Sequence, residues 1–243
     1  MDKLAQLKSR LNSREDTEKA KTLSRFFKTG KGEYGEGDRF LGIAVPIQRK
    51  LAKEFVELEL SEVEQLLESP IHEYRLTALL ILTYQFPKVQ AIAQAEIVRF
   101  YLSHTQWINN WDLVDTSCRP ILGVYLLERD RSILYEFAHS QNLWQQRIAM
   151  ITTGEFIKHR QFADTIAIAE ILLGHSHDLI HKAVGWMLRE VGKKESPVLE
   201  EFLDRYASQM PRTTLRYAIE HFDEEKRKSY LQNPRPISPS TIS

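Results

Sequence analysis

Apolar residues recur every three or four positions along almost the whole chain, which is the spacing of one buried face of an α-helix. Sustained alternation of apolar and polar residues is absent, and no Asn-Gly or Asp-Gly dipeptide marks a hairpin turn. The pattern therefore predicts an all-α protein. Its helices are predicted at residues 2–14, 15–27, 46–58, 61–68, 72–86, 90–102, 110–129, 131–139, 143–159, 162–173, 178–192, 197–208, 212–221 and 223–231.

Three local signals refine the ends and the shape of these helices. Pro46 suits the first position of a helix, where no amide hydrogen is needed. Ser61 and Glu64 have the spacing of a capping box. Pro120 falls inside the helix at 110–129 and should kink it, because proline removes one helical hydrogen bond and clashes with the preceding turn.

The predicted helices form pairs, and the second helices of successive pairs are almost evenly spaced. Trp111, Arg147 and Trp186 lie in three such second helices, 36 and 39 positions apart. A two-helix unit of roughly 40 residues is the size of a HEAT or armadillo repeat, whose second helices line a concave face. We predict one HEAT-like or armadillo-like superhelical solenoid domain over residues 1–231. An irregular helical bundle with accidental spacing is the alternative, and the Pro- and Ser-rich residues 232–243 are predicted to be disordered.

The most distinctive stretch is Asn109–Asp115. Trp111 and Asp115 are four residues apart, so a helix places the indole ring and the carboxylate side by side on one face. Taken alone, such a pair is more typical of a packed aromatic ring next to a solvated acid. The regular distances to Arg147 and Trp186 favour a functional group that faces one groove.

A glycine-rich segment at residues 28–42 interrupts the helical pattern. It holds five of the ten glycines: Gly30, Gly32, Gly35, Gly37 and Gly42. It is neither a Walker loop nor a Rossmann fingerprint, because no strand precedes it and the spacings differ. The segment is either a long connector between helices or a backbone clamp on a phosphate-bearing partner.

Composition and charge restrict the class of protein. Hydrophobic residues make up 42% and charged residues 27% of the chain, as in soluble globular proteins. Thirty-three basic residues balance thirty-three acidic ones, which speaks against strong nonspecific binding of polyanions. The balance holds only for the whole chain, however: residues 21–50 are mainly basic and residues 51–70 mainly acidic. One surface can therefore be positive while another is negative.

The sequence predicts a cytoplasmic protein without a metal. The first residues are charged too early for a secretory signal, and no apolar run approaches the roughly 18 residues of a membrane span. Cys118 is the only cysteine, which excludes intrachain disulfides and thiolate zinc sites. His175, His177 and His181 cluster, but no ligand set with zinc spacing accompanies them.

Five separated stretches, taken together, resemble the DNA alkylation repair family, the AlkD-like HEAT-repeat DNA glycosylases. The resemblance runs from about residue 20 to about residue 231. The stretches are Lys28–Pro46, Asn110–Asp115 (NWDLVD), Trp144–Ala149 (WQQRIA), His177–Gly192 (HDLIHKAVGWMLREVG) and Met210–Glu220. Several long matches in the same order are a stronger signal than any single motif.

The resemblance implies a function as well as a fold. It implies a monofunctional glycosylase that removes positively charged alkylated purines from double-stranded DNA in base-excision repair, bound in the concave groove. It also implies a monomer without a cofactor, associated with the nucleoid when bound to DNA. The family's active-site positions correspond to Trp111, Asp115, Arg147 and Trp186. Candidate DNA contacts are Lys28, Gly35, Gly37, Lys158, Lys182, Arg189, Lys193 and Arg216.

Each of these assignments has a structural alternative. Trp186 can belong to the core, Arg147 can pair with an acid of a neighbouring helix, and any one of the basic residues can lie on a solvated face. A non-catalytic HEAT-like module that binds DNA structure or another protein is the competing function, because solenoids are commonly scaffolds.

Overall fold

The computed structural model describes residues 2–232 of the 243-residue chain. The chain divides into two compact units, Met1–Tyr125 and Leu126–Ser243. The disordered tail predicted at 232–243 begins with Gln232, which ends a helix, and residues 233–243 lie outside the described residues.

Helices make up most of the first unit. They are α1 (Lys3–Asn12), α2 (Thr17–Phe26), α3 (Val45–Glu54), α4 (Leu60–Leu67), α5 (His72–Gln85), α6 (Ala91–Ser103) and α7 (Trp111–Cys118), with 3₁₀ turns at Phe86–Lys88 and Thr105–Trp107. The short α8 (Val124–Leu126) lies where the chain passes from one unit to the next.

The second unit also consists mainly of helices. Its helices are α9 (Ser132–His139), α10 (Leu143–Lys158), α11 (Ala163–Ile171), α12 (Asp178–Lys194), α13 (Ser196–Tyr206), α14 (Arg212–Ala218) and α15 (Glu224–Gln232). The predicted all-α class is confirmed, and each predicted helix is present at its predicted place except the one at 110–129, which is divided. Residues 2–232 contain no β-strand, only one isolated bridge between Arg39 and Ile71.

Each unit is built on one almost completely buried helix. In the first unit every residue of α5 from His72 to Leu82 is buried, and α3, α4 and α7 pack on it. In the second unit every residue of α10 from Arg147 to Ile157 is buried, and α9, α11 and α12 pack on it. A helix that is buried on all sides is stable only when neighbours surround it. None of the helices in the described part is long and apolar enough to cross a membrane.

Pro120 changes the hydrogen bonding of the long helix predicted at 110–129. Regular α-helix ends at Cys118, and residues Arg119–Gly123 form a π-helical segment before α8 begins. Because proline has no amide hydrogen and crowds the preceding turn, the ladder widens locally at this residue. Pro120 therefore interrupts the helix at its predicted place.

The predicted capping box at Ser61 and Glu64 is wrong. Helix α4 begins one residue earlier, at Leu60, and its capping box is formed by Glu59 and Glu62. The Glu62 side chain accepts a hydrogen bond from the Glu59 amide at 2.9 Å. Two carboxylates at the positive end of a helix dipole serve the same purpose as the expected serine.

Candidate active site

Helix α7 carries the first two residues predicted for the site. Asn110 caps the helix, and its Oδ1 accepts a hydrogen bond from the Trp111 amide at 2.8 Å. Trp111 and Asp115 follow one turn apart and are both partly exposed, whereas Leu113 and Val114 are fully buried. The helix therefore presents an indole ring and a carboxylate on one face, as their spacing predicts.

His72 ties the first turn of α7 to the beginning of α5. Its Nε2 lies 2.8 Å from Oδ2 of Asp112, and its Nδ1 lies 3.1 Å from Oδ2 of Asp38. Because each ring nitrogen faces a carboxylate oxygen, both nitrogens carry a hydrogen and the ring is an imidazolium. Arg75 adds a second positive charge, with Nη2 2.6 Å from Oδ1 of Asp38, as an ion pair without hydrogen-bond alignment.

The charges of this buried network set the pKa values of its members. Burial lowers the pKa of His72. The charge of Asp112 and the hydrogen bonds that the ring donates to both aspartates outweigh burial and Arg75, and raise this pKa from 6.5 to about 9. Burial raises the pKa of Asp38, but His72 and Arg75 together bring it below its ordinary value. His72 is therefore positively charged at neutral pH.

A stack of aromatic rings connects Trp111 to the same histidine. Trp111 stacks on Phe27 with ring centroids 5.2 Å apart, and Phe27 stacks on Phe40 at 5.2 Å. Phe40 stacks on His72 at 4.5 Å. Phe26, which is 62% exposed, meets Trp111 edge-on at 6.0 Å. The position of the indole ring thus depends on aromatic contacts with the segment that precedes α3.

The glycine-rich segment 28–42 supplies Asp38 and Phe40 to this arrangement. Its end is fixed by Glu73, whose carboxylate accepts hydrogen bonds from the three amides of residues 41–43 at 2.8–3.2 Å. Glu73 is 1% exposed, and the three bonds satisfy a carboxylate that would otherwise be costly to bury. The segment therefore acts as a connector that holds two side chains against α5.

Other amides of the segment donate to its own acidic side chains. The Gly30 amide donates to Glu33 at 2.8 Å, and the Gly32 amide donates to Glu36 at 2.7 Å. Any phosphate bound by these amides would have to displace a carboxylate first. The connector alternative thus explains more of this segment than a preformed phosphate clamp does.

Lys28, Gly35 and Gly37 are the segment's predicted DNA contacts. Gly35 is buried, its amide donates to the Lys28 carbonyl at 3.0 Å, and a Cβ there would lie 2.4 Å from the Phe27 carbonyl oxygen. Gly37 is exposed with a φ of +90°, and the exposed Lys28 has its Nζ 5.9 Å from the Tyr34 ring centre. Gly35 has an internal role, whereas Lys28 and Gly37 lie at the surface.

An apolar cavity of about 390 Å³ opens beside the aromatic stack. Two carboxylates line the cavity, those of Asp112 and Glu73. Asp112 binds His72 and the Leu113 amide, the latter at 2.8 Å, and Glu73 binds the three loop amides. Both carboxylates are engaged in structural bonds, so neither is a ready proton donor for a ligand in the cavity.

In the second unit, Arg147 lies on α10 and is 5% exposed. Its Nη1 donates a hydrogen bond to the Leu179 carbonyl oxygen at 2.6 Å. Leu179 belongs to the first turn of α12. The charge-assisted bond therefore fixes α10 against the helix that carries Trp186.

Trp186 lies at the edge of the core of the second unit. Its neighbours Ala183, Val184, Met187 and Leu188 are almost completely buried, whereas Trp186 remains partly exposed. A role in packing alone therefore does not account for the whole indole ring.

Gly185 allows α14 to approach α12 directly beside Trp186. A Cβ at this position would lie 2.6 Å from the Thr214 carbonyl oxygen and 2.5 Å from Cβ of Tyr217. Both distances are shorter than real Cβ contacts, and one partner is backbone that cannot turn away. Any larger residue must push the two helices apart.

Gly185→Ala is therefore expected to destabilise the protein by about 1–3 kcal/mol, because overpacking outweighs the roughly 1 kcal/mol that alanine gains in helix propensity. Urea unfolding followed by circular dichroism measures the change. The matched control is Gly174→Ala, where an added Cβ meets no atom within 4 Å. A Gly185→Ala variant as stable as the control would contradict the close helix contact.

Most of the basic residues predicted to contact DNA in the second unit are paired with carboxylates of that unit. Exposed pairs of this kind contribute little to stability, so a phosphate can replace the carboxylate at small cost. Arg216 is exposed. The pairs are Lys158 with Glu155 at 2.9 Å, Lys182 with Asp178 at 2.7 Å, Lys193 with Glu190 at 2.8 Å, and Arg189 with Glu220.

The histidine cluster at residues 175–181 forms hydrogen bonds at the beginning of α12. His175 Nε2 lies 2.9 Å from Oε1 of Gln146, and His177 Nδ1 accepts from the Leu179 amide at 3.1 Å. Among residues 2–232, the one group with the spacing of metal ligands lies in the first unit. It consists of Glu64, Glu68 and His104.

The model of a protein family described as DNA alkylation repair enzyme matches residues 7–222. The chain belongs to this family. Its fold resembles a predicted DNA alkylation repair enzyme from Enterococcus faecalis, with a TM-score of 0.68 and 17% identity over 87% of this chain and 98% of that chain. It also resembles AlkD2 from Streptococcus mutans, with a TM-score of 0.57 and 15% identity over 84% and 99% of the two chains. No curated protein matches the chain.

Membership confirms the family resemblance and gives the protein a role in DNA alkylation repair, with DNA as its partner. The likeness to solved members of the family also confirms the predicted class of helical-solenoid fold.

Sequence reasoning missed the buried network that supports Trp111. Two of its members, His72 and Arg75, stand with Glu73 at the start of an otherwise apolar helix. Three ionisable residues at the start of a helix that is otherwise mainly apolar indicate charged partners in the core, because unpaired charges are too costly to bury. This signal was available in the sequence, although the identity of the partners was not.

Proposed function

We propose that this member of the family is a monofunctional DNA glycosylase that hydrolyses the N-glycosidic bond of cationic alkylated purines, such as 3-methyladenine and 7-methylguanine. The observation that carries the proposal is α7, which presents Trp111 and Asp115 on one partly exposed face. The protein would act on double-stranded DNA as a monomer and without a cofactor.

The chemistry needs only one carboxylate. A purine alkylated at N3 or N7 carries a positive charge, so the bond from its nitrogen to the sugar C1′ breaks with both electrons moving to the base. The base leaves neutral and needs no proton, unlike the leaving group in ordinary glycoside hydrolysis. A water molecule then adds to C1′ and gives up one proton. Asp112 and Glu73 are already hydrogen-bonded to His72 and to loop amides, which supports a mechanism without a general acid.

Each of the four predicted residues has a role in this reaction. Asp115 stabilises the positive charge that develops on the sugar and orients the attacking water. Trp111, on the same helix as Asp115, offers an electron-rich ring face to that cation. For Trp186, in the second unit, we propose the same kind of ring contact with the substrate. Arg147 would bind a flanking phosphate or fix the position of the nucleotide. Because it is 5% exposed and donates to the Leu179 carbonyl oxygen, the DNA has to reach it at that buried position.

Phosphate contacts elsewhere are assigned to the basic residues at the surface. Those on the helices of the second unit would exchange their carboxylate partners for DNA phosphates, which releases counterions from the duplex. The basic residues are Lys158, Lys182, Arg189, Lys193 and Arg216 in the second unit and Lys28 in the first, and the backbone of the exposed Gly37 is assigned a further contact.

The selectivity between cationic and neutral lesions tests this proposal. We expect release of 3-methyladenine and 7-methylguanine from duplex DNA, and no release of uracil or hypoxanthine, because only the cationic bases leave without protonation. Single-turnover incubation followed by chromatography of the released bases measures all four, with DNA incubated without protein as the control. Efficient excision of a neutral base would show that the mechanism is wrong.

A non-catalytic module that binds DNA structure or a protein is the second candidate. The observation in its favour is that groups able to bind phosphate already have acidic partners. Carboxylates pair with basic residues of α10 and α12 and with amides of the glycine-rich segment. Duplex binding without release of any of the four bases would favour this candidate over the glycosylase.

A further inference from the structure

The aromatic stack and the charged network join Trp111 and its own helix, α7, to the same residue, His72. The stack runs from Trp111 through Phe27 and Phe40 to His72, with neighbouring rings inclined by 17°, 19° and 21°. From His72 a hydrogen bond leads back to α7, to Asp112, the residue next to Trp111. The indole ring and the backbone of its own turn are therefore held by the same imidazolium.

The hydrogen bond between His72 and Asp112 depends on the protonation state of His72. The ring is 2% exposed and lies between the two carboxylates of Asp38 and Asp112. A neutral imidazole can donate to only one of them, so loss of a proton leaves the other facing a lone pair. Either the bond to the loop or the bond to α7 must then open.

The groups around His72 come from three elements. The glycine-rich segment contributes Asp38, α7 contributes Asp112, and α5 contributes Arg75 with Glu73 beside it. Glu73 is turned towards the loop amides, and Arg75 pairs with Asp38. Asp112 has one other bond, from the Leu113 amide at 2.8 Å. His72 is therefore the side chain that joins the first turn of α7 to the network.

We propose that His72 is a positioning residue for Trp111: the imidazolium, held between Asp38 and Asp112, fixes the first turn of α7 and the orientation of the indole ring. The role is separate from catalysis itself, because His72 is 2% exposed and contacts Asp112 and Phe40, which are not assigned to the reaction. Its importance for base release rests on the proposed function, whereas its coupling to Trp111 does not.

The coupling is tested by nuclear magnetic resonance on the full chain, labelled with ¹⁵N at its tryptophans. We expect the indole N–H signal of Trp111, assigned by its absence in Trp111→Phe, to shift with pH with a midpoint near 9, the pKa of His72. The signal of Trp107, which lies outside the stack, serves as the internal control. In His72→Gln, whose side chain does not titrate, the Trp111 signal should not move in this range.

The wild-type titration needs no variant to fold, so it decides the coupling by itself. A Trp111 signal that stays constant from pH 7 to 10, or that moves equally in His72→Gln, would overturn the proposal. A shift confined to Trp107 would do the same.

A kinetic measurement extends the test to base release. We expect His72→Gln to slow single-turnover release of 3-methyladenine about tenfold at pH 7 while duplex affinity stays within about twofold, because an unrestrained ring loses its alignment with the developing cation. The wild-type rate should fall above pH 9, and the variant's rate should not. A coupled Trp111 signal in a protein that releases no base would support the positioning role and refute the glycosylase.

Discussion

Asp115→Asn is expected to lower the single-turnover rate of 3-methyladenine release by about 10²–10³-fold, the usual cost of losing one well-placed electrostatic contact in a transition state. The substitution keeps the size of the side chain and removes the negative charge assigned to the sugar cation. Duplex affinity should persist or increase, because a repulsion with phosphate disappears. Base release and fluorescence anisotropy on the same oligonucleotide separate the two effects.

The matched control is Glu96→Gln, which makes the same carboxylate-to-amide change on an exposed position of α6. It should leave the rate of base release within about twofold of the wild type. If Asp115→Asn were as fast as this control, Asp115 would not be the residue that stabilises the sugar cation, and another acid would have to take its place.

The helices could be predicted from the sequence because their signal is local. The helix predicted at 143–159 spans Leu143–Lys158 in the structure, and the helix predicted at 72–86 spans His72–Gln85. In each case apolar residues at helical spacing recur along the whole segment, and Pro87 follows the second helix. The helix at 110–129 differed because a proline changes hydrogen bonding without ending the apolar pattern.

The network behind Trp111 could not be predicted in the same way. Its bonds join His72 to residues 34 and 40 positions away, and helical periodicity contains no information about such pairs. The glycine-rich segment illustrates the difficulty. Its composition is that of a ligand-binding loop, yet two of its side chains, Asp38 and Phe40, complete the interior of the first unit.

The pairing of the basic residues was partly visible in the sequence. Lys158 and Lys193 have acids three residues before them, a spacing that brings side chains together on a helix. The pair of Arg189 with Glu220 spans 31 positions and appears only in the folded chain. Neutralisation of a surface can therefore be anticipated within one helix but not between helices.

The largest expected effect on stability concerns the pH dependence of the buried imidazolium. The folded pKa of His72, about 9, lies above its ordinary value of 6.5, so protonation stabilises the folded state. This contribution is fully present below about pH 6.5 and is lost as the pH rises through about 9. A shift of this size corresponds to about 3 kcal/mol.

Urea unfolding of the wild type and His72→Gln between pH 6 and 10 measures this contribution, because other titrating groups cancel in the difference between the two proteins. The wild type should lose about 3 kcal/mol relative to the variant over this range, most of it between pH 6.5 and 9. His139→Gln, which removes an exposed imidazole from the second unit, is the control and should follow the wild type at every pH. A constant difference between the wild type and His72→Gln would mean that the histidine is not held as an imidazolium.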